Sequence, residues 1–320
     1  MADALTQVLR SVRLGGGVFL DVRLSAPWAV TSHITADDCR PLLANPAQVI
    51  AFHVVLAGRM LALLDGEPVR ELQAGEIVLF PRSDVHVLAS GPGIPPVAGR
   101  DLVQPSPGGG LARIVHGGGG EPTHLVCGFL GCEEHGNPLI AALPRMLSLD
   151  IRQGTSHDWI EASVRFAAAE LVAGRLATSE VMSRLSELLL IEAVRQYVAT
   201  RPGDAEGWLR GLADPFVGKA LALIHDGIER PWSADGLARE VGMSRSAFVD
   251  RFTALIGQPP IRYLTGCRLQ TASLQLRETS RPLARIAFDV GYDSVEAFSR
   301  AFKRQYGRSP AHWRDAAGTA

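Results

Sequence analysis

Residues 233–257 read Ser233-Ala-Asp-Gly-Leu-Ala-Arg-Glu-Val-Gly-Met-Ser-Arg-Ser-Ala-Phe-Val-Asp-Arg-Phe-Thr-Ala-Leu-Ile-Gly257, and residues 282–307 repeat their pattern. Leu237 and Val241 lie four apart, Gly242 follows, and Phe248 and Phe252 are again four apart. Ile286, Val290, Gly291, Phe298 and Phe302 restate this at an offset of 49 residues before the turn and 50 after it. Ala238 and Ala287 hold equivalent places, where a small side chain lets two helices approach. The glycine supplies the positive φ that ends the first helix. Ser244 and Asp293 are the expected N-caps of the second helices. Each unit is therefore a short helix, a tight turn and a second helix, the plan whose second helix enters a DNA major groove. One such match is weak, because helical hairpins are common. Two at matched spacing are strong, the rival being an ordinary helical domain with an internal repeat.

Charge agrees with this reading once the chain is divided. From Asp214 to Ala320 there are 15 Lys+Arg and 11 Asp+Glu, a net of +4. The preceding 213 residues carry 17 basic and 22 acidic residues, a net of −5. The near-neutral total of −1 thus hides a basic end suited to phosphate beside an acidic partner domain.

Upstream, residues 17–130 are rich in Gly, Pro and Val. Short apolar runs at Val49–Leu56, Met60–Leu64 and Ile77–Phe80 each close on a turn signal, as in a β-barrel or sandwich. The Gly- and Pro-heavy stretch 90–120 reads as a long loop or as partly disordered. Between 138 and 200 the periodicity turns helical, with Ile160, Val164, Ala167 and Leu171 in one segment and Met182, Leu185, Leu188, Leu189 and Ile191 in another. These helices are expected to cover the barrel or pair with a second subunit. A further short amphipathic helix is expected over residues 3–13. Thr200-Arg-Pro-Gly-Asp204 opens a linker. The resulting division is 1–200 for a sensor and dimerisation domain, 201–213 for a linker and 214–315 for a DNA-binding domain. No run of 18 apolar residues exists and no secretory leader is visible, while four scattered cysteines make no disulfide framework, so a cytoplasmic protein without membrane partners is expected.

The C-terminal region resembles the AraC/XylS family of bacterial transcription regulators. The matching residues are Trp232 to Phe248, Phe252, Gly257, Tyr263-Leu264, Arg268-Leu269, Ala272, Ile286-Ala287, Val290-Gly-Tyr292, Ala297 to Lys303 and Gly307-Arg-Ser-Pro310. The resemblance implies two helix-turn-helix subdomains joined by a long helix, here 261–277, with recognition helices in successive major grooves about 34 Å apart. The N-terminal half resembles the cupin-type sensor fused to some members. Gly75-Glu-Ile-Val-Leu-Phe-Pro81 followed by His86 is similar to the second cupin motif, with Ser83 in place of its usual glycine and Ser90 in place of its asparagine. The first motif's histidine pair and glutamate have no counterpart beyond His53, so a cupin fold is implied without its metal set. The expected fold is multidomain α+β: an N-terminal cupin-like β-barrel with flanking helices and a C-terminal all-α double helix-turn-helix domain.

In the first unit the exposed recognition positions are Arg245, Ser246, Val249, Asp250 and Arg251. The family's base-contacting positions fall on Ser246, Val249 and Asp250, a set short of long donors that suits thymine methyls or a cytosine amino group. In the second unit they are Ser294, Val295, Glu296 and Arg300, with Lys303 and Arg304 nearer phosphate. Arg300 suits a bidentate contact to guanine. Glu296 either contacts a base or, with Asp293, forms a capping box. In the sensor, His53, His86, Cys39 and Cys127 are the candidate ligand or redox residues, with His33 as a further neighbour. Cys127 lies in a Leu-Val-Cys-Gly context similar to that of oxidant-sensing relatives, which would require a low-pKa thiol. Cys127, Cys132, His135 and His124 also have donor types that zinc takes, against the plainer reading of one buried and one exposed cysteine. The expected partners are duplex DNA, RNA polymerase, a second copy of the chain and a small-molecule or oxidant effector, with no cofactor and no catalysis. The rival readings are a metal-dependent cupin enzyme with an accessory helical domain, and a cysteine alkyl acceptor of DNA repair.

Overall fold

The computed structural model describes residues 14–39, 46–105, 112–132, 138–150, 152, 162, 180–200 and 207–317. The chain divides into two compact units, one spanning residues 12–204 and the other holding residues 205–320. The segments 3–13 and, apart from residue 162, 160–171, expected to be helical, lie outside the described residues, as does His135.

The first unit is a pair of facing sheets. One has six strands in the order β11-β6-β3-β10-β1-β9. These are β1 (Leu14–Ser25), β3 (Gln48–Ala57), β6 (Glu76–Phe80), β9 (Ala112–Gly117), β10 (Pro122–Cys132) and β11 (Leu147–Asp150). The other has five, β5-β4-β7-β2-β8, made of β2 (Ala29–Ser32), β4 (Arg59–Leu64), β5 (Arg70–Gln73), β7 (His86–Ala89) and β8 (Val97–Ala98). The pairings are antiparallel except β1 with β9 and β2 with β8. The three apolar runs of the sequence are thus β3, β4 and β6. Among the described residues the sheets do not close into one hydrogen-bonded ring, and the cupin unit is an open, two-sheet form of the expected barrel. The described parts of the stretch 90–120, residues 90–105 and 112–120, are more ordered than their composition suggests. They contain β8, a 3-10 turn at Gly99–Leu102 and β9, because strand pairing satisfies backbone that Gly and Pro leave locally unspecified.

Alternation decides which side chains fill the space between the sheets. Leu20, Val22, Leu24, Ala51, Val55, Val78, Phe80, Leu125, Cys127 and Phe129 from the large sheet meet Val30, Met60, Ala62, Leu64, Leu72 and Leu88 from the small one. The other face of the large sheet, with Phe52, Val54, Ile77, Leu79, Val126 and Leu130, is also buried. Helix α1 (Pro138–Ala142) lies between β10 and β11 in the chain, and α2 (Glu180–Thr200) follows the last strand and packs on β1, β10 and β11. Leu189, Leu190, Ala193 and Val194 of α2 are fully or nearly fully buried.

The second unit is all helical among its described residues: α3 (Gly207–Ala213), α4 (Pro215–Asp226), α5 (Ala234–Val241), α6 (Arg245–Ile256), α7 (Pro260–Glu278), α8 (Leu283–Asp289), α9 (Val295–Tyr306) and α10 (Pro310–Ala317). Residues 207–213, read from the sequence as the end of a linker, are instead a helix. It packs on α4 and α6 and buries Trp208, Leu209 and Leu212. The break at Thr200–Asp204 suggested a linker running on to 213, but two apolar side chains four residues apart, Trp208 and Leu212, gave the segment a face to bury. Among the described residues no helix is long and apolar enough to cross a membrane.

Candidate functional site

The two helix-turn-helix units are built alike to the hydrogen bond. In the first, Met243 N–H donates to Ala238 and Gly242 N–H to Arg239. In the second, Tyr292 N–H donates to Ala287 and Gly291 N–H to Phe288. Both glycines sit at positive φ, 77° and 85°. This is the 6→1 and 5→2 pattern that ends a helix on a left-handed residue. At Gly291 a side chain is barred twice over, since a Cβ would lie 2.6 Å from the Glu229 carbonyl and 2.7 Å from the Arg268 guanidinium. Phe248 and Phe252 anchor α6, and Phe298 and Phe302 anchor α9, all fully buried. Edge-to-face contacts continue from Phe252 to Tyr263 and from Phe302 to Trp313, seating both recognition helices on α7 and its neighbours.

The cap of the second recognition helix differs from expectation. Ser294, not Asp293, is the N-cap, its hydroxyl accepting from Ala297 N–H at 3.2 Å. Ser244 accepts from Ala247 in the same way. The extra residue of the second unit therefore precedes its cap, and the 50-residue offset already holds at the serine. With Asp293 outside the helix, the Asp293/Glu296 capping box does not form. Glu296 remains exposed in the first turn.

Of the residues expected at DNA, Arg245, Ser246, Asp250, Ser294, Glu296, Arg300, Lys303 and Arg304 are exposed, and Val249 and Val295 are half-buried. Arg251 is diverted. Its guanidinium donates from Nε and Nη2 to Asp214 Oδ2 and lies 5.3 Å over the Phe216 ring. Asp214 is itself the N-cap of α4, accepting from Phe216 and Val217 N–H at 3.0 Å. Burial raises the Asp214 carboxyl, but the Arg251 bond and the two N–H donors outweigh it and leave it below 3.8.

In the cupin unit the structure gathers three of the four named sensor residues. Cys127 and His53 are register partners on β10 and β3, and His86 reaches across from β7 of the facing sheet. Cys127 Sγ lies 2.8 Å from His53 Nδ1, and His53 Nε2 lies 2.8 Å from His86 Nε2. The His86 ring stacks on Phe80 at 3.6 Å between centroids. Its Nδ1 donates to the Asp84 carbonyl at 2.8 Å. Cys39 takes no part: its thiol donates to the Thr35 carbonyl, and burial pushes it up to about 11. Exposed His33 makes no bond to these groups. His124 lies on the opposite face of β10 from Cys127, bonded to Asp21 at 2.6 Å, so these two cannot share a zinc ion. Burial, with a smaller push from Asp21, drives the Cys127 thiol upward, contrary to the low-pKa thiol that a simple redox sensor requires. Cys127 stands in the middle of β10.

A cupin metal does not fit these groups. Cys127 and His86 approach opposite nitrogens of the one His53 ring, so their donors run in a line instead of converging. Among the described residues no group of three His, Cys, Asp or Glu is placed to hold a metal ion. The cupin motif survives in its backbone. Ser83 adopts the positive φ of the motif's glycine, 48°, held by its hydroxyl on the Ile34 carbonyl. Ser90 bonds to Trp28 N–H and carbonyl where the motif has asparagine.

Comparison with known proteins matches residues 3–199 to a family model described as Cupin, and residues 237–316 to one described as Helix-turn-helix domain. An AraC-like transcription regulator of Streptomyces antibioticus is 35% identical over 277 residues, covering 83% of this chain and 87% of that one. The chain belongs to the AraC-like transcription regulators. The HTH-type regulator AlkR of Acinetobacter baylyi is 29% identical over 315 residues, covering 98% and 99% of the two chains. Among solved structures, the DNA-binding domain of AdpA in complex with a target DNA is 29% identical, over 33% of this chain and 95% of that one, with a TM-score of 0.32.

This AraC-like regulator binds DNA through its helical unit and carries a cupin domain before it. Two features escaped sequence reasoning. The Asp214–Arg251 tie joins residues 37 apart, and nothing local marks it. The Cys127–His53–His86 chain was named as candidate residues without the order in which they bond.

Proposed function

We propose that this regulator reads its operator mainly through the second helix-turn-helix unit, with Arg300 on guanine and Glu296 on a neighbouring base. The observation that carries this is a contrast between two exposed arginines. Arg251 is spent on Asp214 and Phe216, whereas Arg300 is exposed, with no hydrogen bond or ion pair among the described residues. Ser246, Val249 and Asp250 then supply weaker, shape-dependent contacts in the first unit, and Arg245, Lys303 and Arg304 neutralise phosphate. Ser294 and Val295 hold the entry of the second recognition helix against the groove.

The cupin unit is the sensing half, responding to a small molecule or electrophile at its core, and the chain acts as a regulator without turnover of its own. A homodimer formed through the sensor unit is part of the proposal; Leu188 on α2, 41% exposed, offers apolar surface to a second copy. Bound beside a promoter, such a dimer is placed to touch RNA polymerase. The test is a mobility-shift series with the full chain on DNA from its own genomic neighbourhood, over salt and over a base-substitution panel. Affinity should fall steeply with salt, as phosphate neutralisation requires. Equal affinity for every sequence would refute base reading.

A further inference from the structure

The core between the two sheets contains a chain of polar groups in an apolar setting, and its protons can be placed one by one. The Asp84 carbonyl only accepts, so His86 Nδ1 carries hydrogen. Burial holds both imidazoles neutral: His53 is pushed well below 6.5, and His86 down to about 4. A neutral His86 with hydrogen on Nδ1 presents a bare Nε2, so His53 donates to it from its own Nε2. His53 Nδ1 is then bare and faces the Cys127 thiol at 2.8 Å. The arrangement is a thiol, a base and a group that fixes the base's tautomer, the order in which nucleophilic sites are built. Cys39 makes the contrast inside the same core. Its thiol is bonded to a carbonyl, which cannot take a proton.

We propose that Cys127 is a covalent modification site for small, uncharged activated alkenes, such as enals and enones, with His53 as its base and His86 as a positioning residue. This deepens the reading of the cupin unit as the sensing half and rests on it. Exposures of 4% for Cys127, 2% for His53 and 1% for His86 admit only a small neutral reagent, since a charged one would lose its hydration. The surrounding side chains, Phe80, Phe129 and Leu125 among them, are apolar. Hydrogen peroxide would bury two hydroxyls there, while an enone buries one carbonyl. In the step, the thiol proton passes to His53 Nδ1 as sulfur bonds to the alkene's β-carbon. The π pair moves to the α-carbon and carbonyl, and the imidazolium returns the proton to the α-carbon. The net reaction adds S–H across C=C, with no leaving group and no co-reactant, and His53 ends neutral as it began. Asp21, on the other face of the large sheet, and His33 and Asp84, near His86, are the other titratable groups that act on this chain.

The experiment treats the full-length protein with methyl vinyl ketone between pH 6 and 9 and follows each cysteine by peptide mass spectrometry, with hydrogen peroxide in parallel. A thiol relieved of its proton by a neighbouring base should react at a rate nearly independent of pH. An unassisted thiol should gain about tenfold per pH unit. Cys127 should outpace Cys39. His53→Gln should slow Cys127 by about 100-fold or more. His86→Gln should slow it less and restore a pH dependence. The proposal is overturned if Cys127 reacts no faster than Cys39, if its rate rises tenfold per unit in the unaltered protein, or if peroxide alone modifies it. The pH profile needs no variant, so a His53→Gln chain that fails to fold does not rescue the idea. DNA affinity of the adduct separates the two readings. An adduct that leaves affinity unchanged refutes sensing at this core. Effector-dependent DNA binding without an adduct refutes the covalent site and leaves the regulator.

Discussion

Arg251, on the first recognition helix, closes a salt bridge onto Asp214, the residue that caps α4. One carboxylate thereby accepts from two backbone N–H groups and from a guanidinium, and it fixes where the first recognition helix lies against the start of α4. Arg251→Ala should therefore lower the melting temperature of the helical unit while leaving base preference unchanged. A base-substitution panel with the same preferences but weaker overall binding is the expected result.

The same pair sets a pH response. The Asp214 carboxyl is depressed in the folded chain, so its stabilisation is complete above the ordinary value of 3.8 and is lost as pH falls below it. Asp214→Asn should flatten the acid limb of unfolding below about pH 4 and lower stability at pH 7. Thermal melts from pH 3 to 7 check this; an unchanged acid limb would remove the pair from the stability balance.

Arg300→Ala should cost about 1–3 kcal/mol for the preferred site and relax discrimination at one base pair. Lys303→Ala should weaken all sequences alike and lessen the salt slope by about one unit. Identical behaviour of the two variants across the panel would place Arg300 on phosphate.

Capping offers a sharper comparison between neighbours. Ser294→Ala should cost the helical unit about 1 kcal/mol, because the Ala297 N–H loses its acceptor. Asp293→Ala should cost a few tenths at most, as a surface substitution outside the helix. Urea unfolding of the two variants distinguishes them, and a larger loss at Asp293 would contradict the cap seen here.

A fragment beginning at residue 205 should melt higher than one beginning at 214. The shorter one discards Trp208, Leu209 and Leu212, each buried and each worth roughly 2–3 kcal/mol when fully removed from water. Both fragments carry the recognition helices, so at low salt and low temperature both should shift DNA.

The sequence by itself determined the two helix-turn-helix units, because everything that makes them is local. Apolar residues four apart, a glycine that tolerates positive φ and a serine three residues ahead of the N–H it caps all fall within some 25 residues of one another. It also marked three of the cupin strands, β3, β4 and β6, whose apolar runs end on turns. What it left open was which neighbour takes a cap when two candidates adjoin, since Asp293 and Ser294 differ only in where the extra residue of the second unit is absorbed. Tertiary structure alone decided the rest. His53, His86 and Cys127 are separated by 33 and 74 residues in their hydrogen bonds, and only strand register and the facing of two sheets bring them into line. Likewise Arg251 looks like a DNA contact until the fold delivers Asp214 to it from 37 residues away. A side chain's type shows what it is able to bond; the pairing of distant backbone segments settles which partner arrives first.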